Sequence, residues 1–400
     1  MSFWVVSHLP IMFIIWHDSD FDFALWIYEN SSLSKEREET ILRQMPKGNT
    51  PDSLERSLKN HSDSQILPLI KYEHPDIIIQ HINEKTGESK IIFATEFMTH
   101  TPQWQHPAQR FSRIYSSSQL KIPVALVLPR SKSKFEKRRF GEYRETKYVC
   151  SPVIYSLFIT TSLINQCPTL LFHWPDVDGY LVTDAKHPTA PAKKQDIIEW
   201  FTFLELAISS NCSLSNAFIQ NWITKLKTNA ATVSLSNYDT IKGVFETRNI
   251  ISKYNLDVNK LSKSFIINDK TLIFEPTGLS PPTSYFRTDP YAGMLCAFDN
   301  LFCRDAKGRK IMNILLRAKN VELSKLSELG TFIDIHAHSV NNCPFSDLSA
   351  SQKLKVDEIA SHLNSGSCPY TSSKQQRIYG EVADVIVFDD AIYYRGDKNN

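Results

Sequence analysis

The sequence predicts an α/β (α+β) protein in which a mixed central sheet is flanked by helices and followed by an additional C-terminal region. Three observations predict it. Two apolar runs, "PDIIIQHI" and "KIIFATEF", lie on either side of "NEKTGES" and read as a β-hairpin. "HPAQRFSRIYSSSQL" comes next, with Phe111, Ile114 and Tyr115 at the i, i+3, i+4 spacing of one helix face. "PVALVLP" then forms a short continuous apolar run between prolines, which suits a strand buried on both faces. A buried strand reached through a helix implies a crossover onto the same sheet.

Taken in order, the chain opens on "MSFWVVSHLPIMFIIWHDSDFD". This start is apolar but interrupted by Ser7, His8 and Pro10, and it lacks a basic leader and a small-residue cleavage site. It reads as a strand or helix packed on the body; no run reaches the length of a membrane span. Residues 30–64 are polar, and Thr50 with Pro51 can cap a helix there. After the hairpin, helix and buried strand, "TLLFHWPDVDGYLVTD" reads as a second hairpin, and apolar-periodic helices come after it at about 194–210 and 213–228. "NAATVSLSNYDT" reads as a linker, which divides the chain into a core at 1–230 and a second region at 231–400. Beyond it, "SFIINDKTLIFEP" reads as a hairpin, "TGLSPPTS" as a loop and "EVADVIVFDD" as a packed terminal strand. There are no internal repeats.

Composition narrows the function classes. With 42% hydrophobic and 22% charged residues over 400 positions, the chain is an ordinary globular one, long enough for two or three domains. A net charge of +2 points to no partner, so any basic surface is local. The 7 cysteines are odd in number, scattered and without CxxC spacing, which argues against a zinc ribbon or a disulfide framework and for reduced thiols in the cytoplasm.

The hairpin carries the chemistry. Opposed residues of an antiparallel hairpin have a constant index sum, so a turn near Thr86 sets Asp76 against Glu96, Ile78 against Ala94 and Gln80 against Ile92. Directly opposed side chains have Cβ atoms about 4.5–5.5 Å apart. Two carboxylates at that distance can share one hard cation, and Mg2+ favours sites of one or two carboxylates completed by water and phosphate oxygens. Met98 shares the face of Glu96. Glu88 of "ESK" lies at the turn, more than about 25 Å from Asp76 at strand rise, and cannot join it. The bland alternative is an ordinary hairpin with two solvent-facing acids; apolar density argues against it, because buried strands seldom oppose two acids unless something compensates their charge.

This arrangement resembles the PD-(D/E)XK nucleases, the fold of many type II restriction endonucleases. Pro75-Asp76 stands for the PD and Glu96-Phe97-Met98 for the (D/E)XK, and the helix and strand up to residue 130 stand for the next two elements of that fold. The resemblance covers about 50–130 and implies a restriction-endonuclease-like core, Mg2+-dependent hydrolysis of double-stranded DNA at a specific site, a homodimer matching a palindromic site, and a cytoplasmic, prokaryotic setting. It implies metal ligands at Asp76, Glu96 and the Phe97 carbonyl, with Glu73 as a further carboxylate nearby. Gln109 and Arg110 begin the helix, where donors meet DNA phosphate. The departure is Met98, which stands where the family carries a lysine. His100 or Lys71 supplies the cation, metal acts alone, or the site is disabled; the last leaves a non-cleaving, sequence-specific DNA-binding protein of the same fold. The helix also lacks Q-x-x-x-Y, since Gln109 is followed four later by Arg113, which favours the endonuclease branch over the exonuclease one.

Other constellations carry less. Residues 130–147 hold 8 basic side chains against 3 acids. Arg130, Lys132, Lys134, Lys137, Arg138 and Arg139 there suit a DNA backbone, against the plainer reading of a solvated helix. "FIDIHAH" matches a DxHxH metal motif at Asp334, His336 and His338, and would predict bound zinc. The 62 residues after His338 are too few for the barrel that motif serves. Asp176, Asp184 and Lys186 form a second PD…DxK, but a turn at "DVDG" separates its acids. In the second region, Lys242, Arg248, Lys253, Arg287, Arg304, Arg309 and Lys310 are dispersed candidates for DNA contact.

Overall fold

A computed structural model describes residues 11–34, 39–47, 57–58, 64–70, 74–83, 86–98, 102, 105–137, 143–174, 176–177, 180–181, 195–230, 241–253, 258, 266–274, 296–304, 311–317, 333–334, 385–387 and 392–394. Their elements are, in order, β1 (Ile11–His17), α1 (Phe21–Asn30), β2 (Glu39–Gln44), α2 (Leu67–Ile70), β3 (Ile77–Asn83), β4 (Ser89–Phe97), α3 (Gln105–Gln119) and β5 (Val124–Pro129). Next come β6 (Ser131–Lys137), β7 (Tyr143–Val149), α4 (Pro152–Asn165), β8 (Thr169–Trp174), β9 (Asp176–Val177), β10 (Tyr180–Leu181), α5 (Gln195–Ile208) and α6 (Ala217–Asn229). The remainder are β11 (Ile241–Glu246), α7 (Thr247–Lys253), β12 (Lys270–Phe274), a π-helical turn at Asp299–Cys303, β13 (Met312–Arg317), β14 (Ile333–Asp334), β15 (Val385–Val387) and β16 (Ile392–Tyr394).

The first sheet has six strands in the order β2-β1-β3-β4-β5-β8 and is mixed. β1 is antiparallel to β3, and β3 to β4; β5 runs parallel to β4, and β8 to β5. The predicted hairpin, helix and buried strand are therefore β3–β4, α3 and β5, joined by the expected crossover. All six residues of β5 are buried, because helices cover both faces of the sheet.

Alternation along β4 divides those faces. Phe93 and Phe97 point one way, into Trp200 and Phe203 of α5 and Phe23 of α1; the Phe97 ring stacks on Phe23 at 4.5 Å. Glu96 points the other way, under α3. Phe111, Ile114 and Tyr115 of α3 are buried as the helical spacing predicts. α4 begins as its sequence favours, with extended Ser151 before Pro152 in the first turn, and it ends at Gln166 in the left-handed region. Its Phe158 meets Phe111 edge to face.

The second sheet also has six strands, in the order β11-β12-β13-β15-β16-β14. The π-helical turn that precedes β13 is bonded to α3: Tyr115 Oη donates to Asp299 Oδ2 at 3.0 Å, and Arg304 Nε donates to the same oxygen at 2.7 Å. Among the described residues, no helix is long and apolar enough to cross a membrane.

Several expectations are corrected. The turn and the start of the β3–β4 register stand, with Ile78 opposite Ala94. A bulge after Ile79 then sets Gln80 against Ile91 rather than Ile92. Gln80 is held there from both neighbouring strands: it accepts from Trp16 Nε1 of β1 at 2.7 Å and donates to Ser89 Oγ of β4 at 2.6 Å. The predicted second hairpin is narrower than its sequence suggests: β8 joins the first sheet as an edge strand beside β5, and among the described residues that follow, β9 and β10 pair antiparallel with Asp176 opposite Leu181. Of the predicted hairpin at 264–276, the described residues 266–274 contribute one strand, β12, whose partners are β11 and β13. The basic stretch after Arg130 is an antiparallel ribbon, β6–β7, not a solvated helix. The helix cap at Thr50 and the linker at 231–240 lie outside the described residues.

Candidate functional site

Asp76 immediately precedes β3, and its carbonyl is tied to β1 by the Asp18 N–H at 3.0 Å. Ile77 pairs with Thr95, so Asp76 falls opposite Glu96, as the index sum predicts. The two residues cross-link. Asp76 N–H donates to Glu96 Oε2 at 3.1 Å, and Phe97 N–H donates to Asp76 Oδ2 at 2.7 Å. Each carboxylate thus takes a main-chain donor at the end of the hairpin, which fixes where the other two oxygens point.

Those oxygens meet α3. Arg110 and Arg113 are three apart, hence neighbours on one helix face. Arg113 Nη1 lies 2.6 Å from Glu96 Oε1 and 3.6 Å from Asp76 Oδ1, and Arg110 Nη1 lies 3.0 Å from Glu96 Oε1. Glu96 is fully buried, while the Asp76 and Arg113 side chains keep 14% and 15% of their surface. Arg110 is the more open cation at 27%. Burial pushes the Asp76 carboxyl up to about 6, against the pull of Arg113, the Phe97 N–H and Arg110, with Asp20 adding to the rise. His74 Nδ1 stands 3.6 Å from Asp18 Oδ1 at the neighbouring end of β1.

Met98 is 1% exposed. Its N–H donates to Val127 O at 2.8 Å and its carbonyl accepts from Trp174 Nε1 at 3.0 Å, so the position is pinned into the core. It brings no charge to the acids. Phe97 contributes its main chain to the site while its ring belongs to the aromatic core.

Carboxylate oxygens are the donor type a hard cation takes, and here they are engaged by guanidinium nitrogens and main-chain N–H groups. Two carboxylates from adjacent strands converge on one cationic atom, Arg113 Nη1, at the C-terminal end of β4. Among the described residues, no set of three or more His, Cys, Asp or Glu side chains converges to hold a metal unaided, so a cation site here rests on the two acids alone. Arg130 is exposed just past β5, and the β6–β7 ribbon starts from this same end of the sheet.

Several other predicted residues lie beyond description. Glu73, Lys71, His100, Arg138, Arg139, Asp184, Lys186, His336 and His338 are outside the described residues. For Gln109, Lys132, Lys134, Lys137, Asp176 and Asp334 only the backbone is described, in α3, β6, β9 and β14. Sequence reasoning missed Arg113 as part of the site. The available signal was the three-residue spacing from Arg110 on a helix that directly follows two opposed acids. No family model, curated protein or solved structure matches the chain.

Proposed function

We propose that the chain is a type II restriction endonuclease-like enzyme of the PD-(D/E)XK kind, hydrolysing double-stranded DNA at a specific site with Mg2+. One observation carries this reading: Asp76 and Glu96 stand opposite each other at the end of β3–β4 and reach one cationic atom. The strand order supports it, since an antiparallel β1-β3-β4 unit followed by a helix and a parallel β5 is the core such enzymes are built on. When bound, Mg2+ clamps the scissile phosphate and acidifies the attacking water.

The chain's own residues do the rest. Asp76 and Glu96 offer oxygen ligands, and the Phe97 N–H orients Asp76 toward its partner. Arg110, more open than Arg113, faces the side from which an anionic backbone arrives. Arg130 and the basic ribbon beyond it meet phosphates along the duplex, where each neutralised charge releases counterions. On this reading Glu73 adds a carboxylate near the metal and Gln109 a donor toward the phosphate. Residues 231–400 help clasp the DNA. A homodimer matches a palindromic site by two-fold symmetry, in the cytoplasm of a prokaryote.

Supercoiled plasmid incubated with Mg2+ tests the reading. Discrete bands that disappear in EDTA, and in Asp76→Asn and Glu96→Gln, are expected. Failure of both the chain and Met98→Lys to cut, together with no specific DNA binding, overturns it. A second reading, a non-cleaving DNA-binding protein of the same fold, is favoured by the buried thioether of Met98. Specific binding without cutting in either form selects it.

A further inference from the structure

Resting on the endonuclease reading, we infer that Arg113 supplies from helix α3 the positive charge that strand β4 lacks at Met98, and so acts as the positioning residue of the acid pair. A buried pair of opposed carboxylates is costly unless a cation compensates it. Met98 does not provide one: its side chain is an uncharged thioether, buried, with its main chain bonded to Val127 and Trp174. Arg113 does, because the same nitrogen lies 2.6 Å from Glu96 and 3.6 Å from Asp76. Arg110 Nη1 lies 3.0 Å from Glu96, and its pull on Asp76 is weaker than that of Arg113.

The helix holds that guanidinium in place. Phe111 and Ile114 on either side of it in sequence are buried, Ser116 Oγ and Ser117 Oγ both donate to the Arg113 carbonyl, and Tyr115 is tethered to Asp299. A guanidinium also stays protonated at any working pH and presents several donors in a fixed plane, so it can satisfy two carboxylates at once. Buried lysine loses its proton more readily. Placing the charge on the helix therefore leaves position 98 open to an apolar side chain, and Met98 is compensated rather than disabling.

Four variants test this: Arg113→Met, Arg113→Lys, Met98→Lys, and Arg113→Met combined with Met98→Lys. Without DNA, Tm is measured in EDTA and in Mg2+, and Mg2+ binding is followed by calorimetry. Arg113→Met is expected to lower Tm in EDTA by on the order of 5–10 °C. It should regain more of that loss in Mg2+ than the parent gains, because the added cation now replaces a missing one. In plasmid cleavage, Arg113→Met should lose about 100-fold in kcat with KM within a few-fold, a charge-placement effect. Arg113→Lys should keep most activity, and Met98→Lys should restore the Arg113→Met chain to within about tenfold of the parent.

A residue that merely fills space would lower Tm without altering the response to Mg2+ and without rescue by lysine at 98, and that pattern overturns the inference. So does Arg113→Met cutting like the parent. If no form cuts DNA, the endonuclease reading fails by itself. The role of Arg113 is then decided by the DNA-free measurements: an equal Mg2+ response in Arg113→Met and parent rejects it, and a larger one in the variant upholds it.

Discussion

In the second sheet, Thr247 and Thr271 share a hydrogen bond of 2.9 Å, and Asn313 Nδ2 lies 3.5 Å from both hydroxyls. In the first sheet, Asp76 and Glu96 face each other beneath two arginines. Both clusters are buried polar groups beside a strand that has an antiparallel neighbour on one side and a parallel one on the other. They differ in charge. Hydroxyls and amides both donate and accept, and Asn268 Nδ2 donates to Asn313 Oδ1 at 3.0 Å, so the threonine–asparagine cluster is met by neutral partners. Two carboxylates accept only, and their residual charge must be met by a cation brought from elsewhere. A neutral cluster specifies packing, whereas a charged one holds a cation that another cation or an anionic substrate can contest.

The sharpest way to break the comparison is to remove the charge from the acids. Glu96→Gln and Asp76→Asn should each reduce plasmid cleavage by at least about 1000-fold, read as initial rates in Mg2+. Thr271→Val should leave the rate within a few-fold. Next in size is the stability of the uncharged and charged clusters themselves. Removing the cation with Arg113→Ala should cost about 3–5 kcal/mol in urea unfolding with EDTA, since it strands buried carboxylates. Thr271→Val should cost about 1–2 kcal/mol, the scale of one lost neutral hydrogen bond. Equal losses would show that charge is not what separates the clusters.

A smaller effect concerns pH. The Asp76 carboxyl is raised from 3.8 to about 6 in the folded chain. Between those values the folded state binds more protons than the unfolded one, so the group's contribution is full below the lower value and is lost as pH rises through the upper. Stability in EDTA should therefore fall by about 2–3 kcal/mol from pH 4 to pH 7 through this group. The difference between parent and Asp76→Asn isolates it, and Thr271→Val should show the parent's slope. Smallest of all, Arg130→Ala should weaken DNA binding a few-fold for every sequence and reduce the salt slope by about one, measured by fluorescence anisotropy across salt concentrations.

Local signals were readable where one element satisfied them. β3 and β4 alternate or run apolar, Gly87 takes the positive φ its turn needs, and the acids face each other at the predicted place. The same index count failed past the bulge after Ile79, where Trp16, 64 residues away, bonds Gln80. β2 was hidden in a polar stretch: "ETILRQ" is an edge strand whose single partner is β1, so half of it remains wet. α4 escaped notice because it is apolar on nearly every side and rich in β-branched residues, which blurs helix and strand periodicity. β12 was given the wrong partner, since nothing near residue 270 points back to Ile241–Glu246. The three-residue spacing of Arg110 and Arg113 marks one helix face, but what that face meets depends on the angle at which α3 crosses β4, which the spacing does not encode.

Phe97 serves two masters with different parts of itself. Its ring is layered against Phe23, while its amide hydrogen secures the Asp76 carboxylate. A library of substitutions at this position would therefore sort by volume and apolarity, as for any interior site. Proline would lose more than volume predicts, because it removes the amide donor along with the ring. Such a residue can drift in identity across lineages while the geometry it maintains stays constant.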